Sequence, residues 1–185
     1  MLIAFTGPQS SGKTTLIDLL KDYTAKEGIE IDYKPSATRS LKAKGYTINN
    51  LGETFDDTQR EVLKSHLDNI EYYEQHGGNL ILDRCMLDGV VYTRYFYNQG
   101  KVSDKVMNYG ESLLKKCYPT YNIVFYLDPT GVPLVADNER STDVVFRKDI
   151  IEIFNEYLLE YRAIKLTGSI DNRFKTITDT ISKIR

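Results

Sequence analysis

Residues 7–14 read Gly7-Pro8-Gln9-Ser10-Ser11-Gly12-Lys13-Thr14, which satisfies the spacing G-x-x-x-x-G-K-[ST] without a mismatch. In that spacing glycines allow a tight turn, so successive backbone N–H groups converge on phosphate oxygens. The lysine reaches β- and γ-phosphates, and the hydroxyl after it suits a magnesium ion. A helix starting near Thr14 points its positive end at the same place. The surrounding pattern agrees, because Leu2–Phe5 is an apolar strand-like run and Leu16, Leu20 and Tyr23 recur at helical spacing. Gly7, Gln9, Ser10, Ser11, Gly12, Lys13, Thr14 and Thr15 are therefore expected to bind nucleotide phosphates.

A second constellation follows the run Asn79-Leu80-Ile81-Leu82, which ends in Asp83-Arg84. A carboxylate there can hold magnesium through water or take the proton of an attacking hydroxyl. The planar fork of Arg84 matches a phosphate. The plainer alternative is Asp83 as a cap on the next helix with Arg84 solvated. Gln59 falls within a helix expected over Phe55 to Gln75, on one face with Leu63, His66, Ile70 and Tyr73. Its amide is either paired in the core or lines a cavity, where donor and acceptor together match a nucleobase edge. His66 reads as a satisfied packing histidine. Phe55, Tyr92, Tyr95 and Phe96 are available to stack on a base, although with 14 tyrosines in the chain core packing explains most of them.

Beyond the run Ile123–Leu127, the segment Asp128-Pro129-Thr130-Gly131 leaves regular structure, and 128–142 reads as a mobile lid. Thr142 and Asp143 offer a cap for the next helix. Arg147 shares a face with Ile151, Phe154 and Leu158 near that helix's positive end, where a cation is disfavoured unless an anion faces it. Arg140 and Arg147 are accordingly expected to close on transferring phosphates, against the alternative of two solvated arginines. Thr167-Gly168-Ser169 opens the C-terminal helix.

These residues need a scaffold, and the rest of the pattern supplies one. Apolar runs without polar alternation occur at Leu2–Phe5, Ile29–Tyr33 (weakly), Leu80–Leu82, Ile123–Leu127 and Ala163–Leu166, as strands buried on both faces require. Helical stripes lie between them: Leu87, Val91 and Tyr95; Val106, Leu113 and Leu114; Ile151, Phe154 and Leu158; and lastly Ile170, Phe174, Ile177, Ile181 and Ile184. Strand–helix alternation of this kind predicts a three-layer α/β fold with a parallel sheet and right-handed crossovers. Ligands of such sheets bind past the C-terminal ends of the strands. The 185 residues suit one domain. With 24 Lys and Arg against 26 Asp and Glu, the net charge of -2 gives no general attraction for nucleic acid or anionic membrane. Cys85 and Cys117 have no C-x-x-C spacing and read as ordinary thiols of a reducing compartment. No run approaches membrane-span length, and Met1-Leu2-Ile3-Ala4-Phe5 lacks the basic start of a secretory signal, so a cytoplasmic domain is expected.

Asp83-Arg84 at a strand end resembles the Asp-Arg signature of thymidylate kinases and the related Glu-Arg-Ser of deoxynucleoside kinases. The whole chain is similar to the P-loop nucleoside and nucleotide kinases, a group that includes the ribosylnicotinamide kinase domain and phage nucleotide kinases. The matching elements run in family order: the phosphate loop, Pro35 through Arg39, Gln59, Asp83-Arg84, and Glu139-Arg140-Ser141-Thr142-Asp143 before Phe146-Arg147. The resemblance implies a P-loop NTPase fold of kinase type over 1–185, a short lid, ATP and Mg²⁺ as cofactors, and a small nucleoside or nucleotide acceptor. Neither a nucleic-acid polymer nor a membrane is an expected partner, and a homodimer is left open. Lys13, Asp83, Arg140 and Arg147 would carry the transfer, Thr14 and Asp83 the metal, and Arg39, Gln59 and Arg84 the acceptor. The 167–169 loop would border adenine. One departure stands out, because Ser36 occupies the place where many of these kinases have a glutamate base. A phosphate acceptor needs no base, which tilts the expectation toward a nucleoside monophosphate over a nucleoside. A ribosylnicotinamide-type kinase and a non-catalytic ATP-binding switch are the alternatives.

Overall fold

The computed structural model describes residues 1–37, 41, 55–132 and 144–184. β1 (Leu2–Thr6) is buried along its whole length, and its side chains divide between two cores. Leu2 and Ala4 enter one, Ile3 and Phe5 the other, because successive residues of a strand face opposite sides of a sheet. β3 (Leu80–Asp83) and β4 (Ile123–Leu127) divide in the same way, with Leu80, Leu82, Val124 and Tyr126 on the first side and Ile81, Ile123, Phe125 and Leu127 on the second. Runs apolar at every position are thus explained by a sheet covered on both faces.

The second face is covered by α1 (Lys13–Lys26) and α6 (Ile170–Ile184) through Leu16, Ile17, Leu20, Ile177 and Ile181. On the first face lie α2 (Phe55–His76), α3 (Met86–Asn98), α4 (Asp104–Cys117) and α5 (Val144–Tyr157), contributing Leu63, Ile70, Val90, Val91, Val106, Leu114, Ile150 and Phe154. The result is the expected three-layer α/β arrangement. With β2 (Asp32–Lys34) and β5 (Ile164–Leu166) at the edges, the five parallel strands run β2-β3-β1-β4-β5. The central register aligns Phe5 with Asp83 and Thr6 with Tyr126. Asp83 therefore ends its strand beside the exit of β1 into residues 7–14.

Edges and ends differ from the sequence expectation. The second strand begins at Asp32, three residues after Ile29. Gly28 at φ +63° closes α1 while Ile29 N donates to Thr24 O at 2.8 Å, so the chain is still finishing the helix there. Helix α5 ends at Tyr157, which leaves Leu158 outside, and its fully buried side chains are Ile150, Ile153 and Phe154 rather than Ile151. In α6 the stripe is Arg173, Ile177 and Ile181, while Ile170 and Ile184 are exposed at the two ends. Among the described residues no helix is long and apolar enough to cross a membrane. Cys85 and Cys117 are both buried and unbridged.

Candidate active site

The phosphate loop is built around positions that demand glycine. Gly7 has φ +138°, and a Cβ there would lie 2.9 Å from the Leu127 carbonyl oxygen of β4. Gly12, at φ +88°, turns the chain directly into α1. Ser10 also takes a positive φ, at 54°. Gln9, Ser10 and Ser11 are buried. Lys13 is buried too, and its Nζ donates to Gly7 O at 2.7 Å, Pro8 O at 2.6 Å and Ser11 Oγ at 3.1 Å. The ammonium thus sits inside the curve of its own loop. Thr14 is half-buried beside it, whereas Thr15 faces solvent.

Asp83 ends the interior strand β3 and Arg84 follows it, both next to this loop. Asp83 is 5% exposed. Arg84 N donates to Phe5 O at 2.9 Å, which extends the β1–β3 ladder by one bond. The residue adopts φ +79°, a left-handed conformation that a non-glycine residue holds only under constraint. Its Nη1 donates to Asp88 Oδ1 at 2.8 Å and to Gly7 O at 3.4 Å, and its guanidinium carbon lies 5.1 Å from the centre of the Tyr92 ring. Burial works against the Arg84 charge, but Tyr92, Asp88 and Asp83 outweigh it and hold the pKa above the usual arginine range. The solvated reading of Arg84 therefore fails. So does the capping reading of Asp83, because α3 is capped by Cys85 together with Asp88.

Gln59 is buried in α2, with Oε1 3.1 Å from the hydroxyl of Thr93, which also lies 2.7 Å from Gly89 O. The amide is therefore paired inside α2–α3 packing. His66 packs against Gly89, where a Cβ would come within 2.9 Å of the ring. Burial pushes its pKa down to about 4, with Asp88 opposing and Arg84 assisting. It is a packing histidine, but it is not fully satisfied: Nδ1 is buried without a hydrogen-bond partner. The four aromatics form a wall between α2, α3 and α5, with ring centroids 4.8 Å apart for Phe55–Phe96, 5.3 Å for Tyr95–Phe96, and 4.7 and 6.0 Å from Phe146 to Tyr95 and Tyr92.

On the other side of the loop, Arg147 lies in the first turn of α5 and its Nη2 reaches three carbonyls: Val132 at 3.1 Å, and Ser10 and Pro129 at 3.5 Å. Burial lowers its pKa, and Nε is buried without a partner. This is a cation held by dipoles at the positive end of a helix, a place that favours an incoming anion. A cavity of about 350 Å³ opens here, lined among others by Asp128, Thr130, Arg147, Lys148 and Lys165. Burial raises the Asp128 carboxyl, but Lys165 at 2.8 Å and the hydrogen bond from Thr130 N bring it down to about 2.

Arg39 and Arg140 lie outside the described residues, as do Thr142, Asp143 and the lid from 133 onward. Three other residues were missed in the sequence. Asp88 stands four positions after Arg84, the spacing of a helical ion pair. Thr93 lies one turn after Gly89. Arg173 precedes Ile177 and Ile181 at four-residue steps, which places it on the buried stripe of α6. Its Nε donates to Gly168 O at 2.9 Å, Nη1 to Ser11 O at 3.3 Å and Nη2 to Asp128 O at 2.9 Å. One guanidinium thus ties the phosphate loop to the ends of β4 and β5. Arg173→Met is expected to destabilise the fold by about 3 kcal/mol, since three carbonyls lose a charged donor at once. Urea unfolding checks this, and an unchanged midpoint would refute it.

Fold and site together define a P-loop protein of the nucleoside and nucleotide kinase type. Residues 2–173 match the family described as AAA domain, and the chain belongs to that family. A thymidylate kinase of Bacillus velezensis is 23% identical over 149 residues, which cover 75% of this chain and 69% of that protein. The NadR protein in complex with NR superposes with a TM-score of 0.73 at 16% identity, over 98% of this chain and 50% of that one. Deoxyadenosine kinase from M. mycoides, with products dCMP and a flexible dCDP bound, gives 0.67 at 16% identity over 99% and 100%. The solved structures show the shared fold, and the thymidylate kinase relative together with the phosphate loop makes the chain a phosphotransferase by class.

Proposed function

We propose that the chain, acting in the cytoplasm as a single domain with a lid over about 128–142, transfers the γ-phosphoryl group of ATP to a deoxynucleoside monophosphate or nucleoside. The observation that carries this reading is the end of β3. There a buried carboxylate, Asp83, and a fixed cation, Arg84, stand against the phosphate loop, with Arg84 Nη1 3.4 Å from Gly7 O. A protein that only bound or hydrolysed ATP could use such a carboxylate for magnesium, but it has no need of a second cation such as Arg84 beside the donor site.

Lys13 and the loop amides would hold the donor phosphates, and Arg147 would meet them from the start of α5. Arg140 and Arg39 would add cations on the lid and acceptor sides. Thr14 and Asp83 offer hard oxygen donors of the kind magnesium takes, and among the described residues no group of three or more His, Cys, Asp or Glu forms a cage. That donor set fits an ion that completes its shell with water and phosphate. When bound there, magnesium would neutralise charge developing on the transferred group. Ser36, 5% exposed just beyond β2, supports a phosphate acceptor, because no carboxylate base stands at that position. The thymidylate kinase relative supports the same preference.

An acceptor panel with ATP tests the reading. Turnover of one or more deoxynucleoside monophosphates above the matching nucleosides is expected. Turnover of nicotinamide riboside alone would replace the acceptor. Slow ATP hydrolysis indifferent to every acceptor would replace the kinase reading with a switch.

A further inference from the structure

We infer that Asp88 is a positioning residue for the acceptor-side cation, fixing Arg84 and tying it to the phosphate loop. The inference rests on the kinase reading above for the word acceptor, and on geometry for the rest. Asp88 is 1% exposed. A carboxylate so deeply buried must be fully engaged to remain charged. Its Oδ1 accepts from Arg84 Nη1 at 2.8 Å and from Gly7 N at 3.4 Å, and its Oδ2 accepts from Cys85 N at 3.0 Å. One side chain thereby joins the first residue of the phosphate loop, the cation after β3 and the start of α3.

Arg84 needs such a constraint. Its backbone is left-handed, and an arginine side chain is otherwise long and mobile. Tyr92 supplies a second wall, its ring lying under the guanidinium while its hydroxyl donates to Gln9 Oε1 at 3.2 Å. Between Asp88 and Tyr92 the fork is held in one place relative to the loop that carries the donor. Transfer in line requires that the two substrates keep a fixed separation. Asp88 would serve it without touching either one.

Charge and position make opposite predictions for Asp88. If the carboxylate merely offset the charge of Arg84, its loss would strengthen the pull on an anionic acceptor. If it positions Arg84, its loss weakens acceptor binding despite the added positive charge. Asp88→Asn is therefore expected to raise the KM for the acceptor by about tenfold or more, with a much smaller change in the KM for ATP. Added to Arg84→Ala it should have little further effect, because the two residues act as a unit. Asp88→Glu keeps the charge but displaces it by one methylene, and the same direction is expected. An unchanged or lowered acceptor KM in both variants, or penalties that add fully to those of Arg84→Ala, would overturn the inference. Loss of melting temperature with intact kinetics would overturn it too, since that is the mark of a helix cap alone. The Arg84 Nε–H resonance in an NMR spectrum, identified by its loss in Arg84→Ala, reads the position without turnover. It should be sharp and slowly exchanging in the parent protein and averaged in both Asp88 variants. If the parent phosphorylates nothing, the kinase reading falls while this measurement still decides for or against Asp88.

Discussion

Lys13→Ala is expected to lower phosphoryl transfer by about a thousandfold, the scale on which removing one preorganised charge from a transferring group acts. The lysine is placed by its own loop. Two carbonyls and the Ser11 hydroxyl lie 2.6–3.1 Å from Nζ, so the ammonium is held where phosphate oxygens would converge. Its three N–H donors are all engaged with the loop, so an arriving phosphate must take over at least one of those bonds. Truncation also strips those carbonyls of a charged donor, so some stability is lost, and a melting curve must accompany the kinetics. Lys13→Met keeps the length of the side chain and loses the charge together with its three hydrogen bonds, so it controls for lost packing only. Both variants are expected to melt below the parent, the second by less, and to fail as enzymes at a temperature where each is still folded. Full transfer by either one would remove Lys13 from the mechanism.

The parts of this site legible in the sequence are those that local rules dictate. The loop is a backbone device with fixed glycine positions, and Gly7 and Gly12 stand at the positive φ values such a turn requires. β1 and β4 were visible as unbroken apolar runs because both of their faces are covered. The edge strands were harder, since Asp32, Lys34 and Lys165 make them partly polar. Their extent is set by how α1 terminates and by pairing with β3 and β4. Asp88 and Arg173 escaped notice for a different reason. Each is a charged residue on the buried side of its helix, and the groups it serves lie far away in the chain: Gly7 for Asp88, and Ser11 and Asp128 for Arg173. Helical spacing puts both residues on inward faces, yet it does not name their partners. Gln59 shows the converse. Its stripe was correct, but only the packing of α2 on α3 reveals that Thr93 takes up its carbonyl oxygen.

Asp83→Asn is expected to reduce kcat at ordinary magnesium by about two to three orders of magnitude, the range for loss of one positioned element of charge stabilisation at a reacting group. The substitution keeps shape and volume at a site only 5% exposed, so the change is one of charge rather than packing. What the carboxylate does depends on the acceptor. Toward a hydroxyl it would take the proton as the bond to phosphorus forms, and an amide cannot do so. Toward a nucleoside monophosphate the attacking oxygen is already ionised, and the carboxylate is left with magnesium. Loss of a metal partner is recoverable by mass action, whereas loss of a base is not. With a monophosphate acceptor, raising magnesium should therefore restore part of the activity of Asp83→Asn. With a nucleoside acceptor it should restore none. Ser36 makes the first outcome the expected one, because no carboxylate stands at that position and a phosphate acceptor does not need a base. An Asp83→Asn variant as active as the parent would refute both roles.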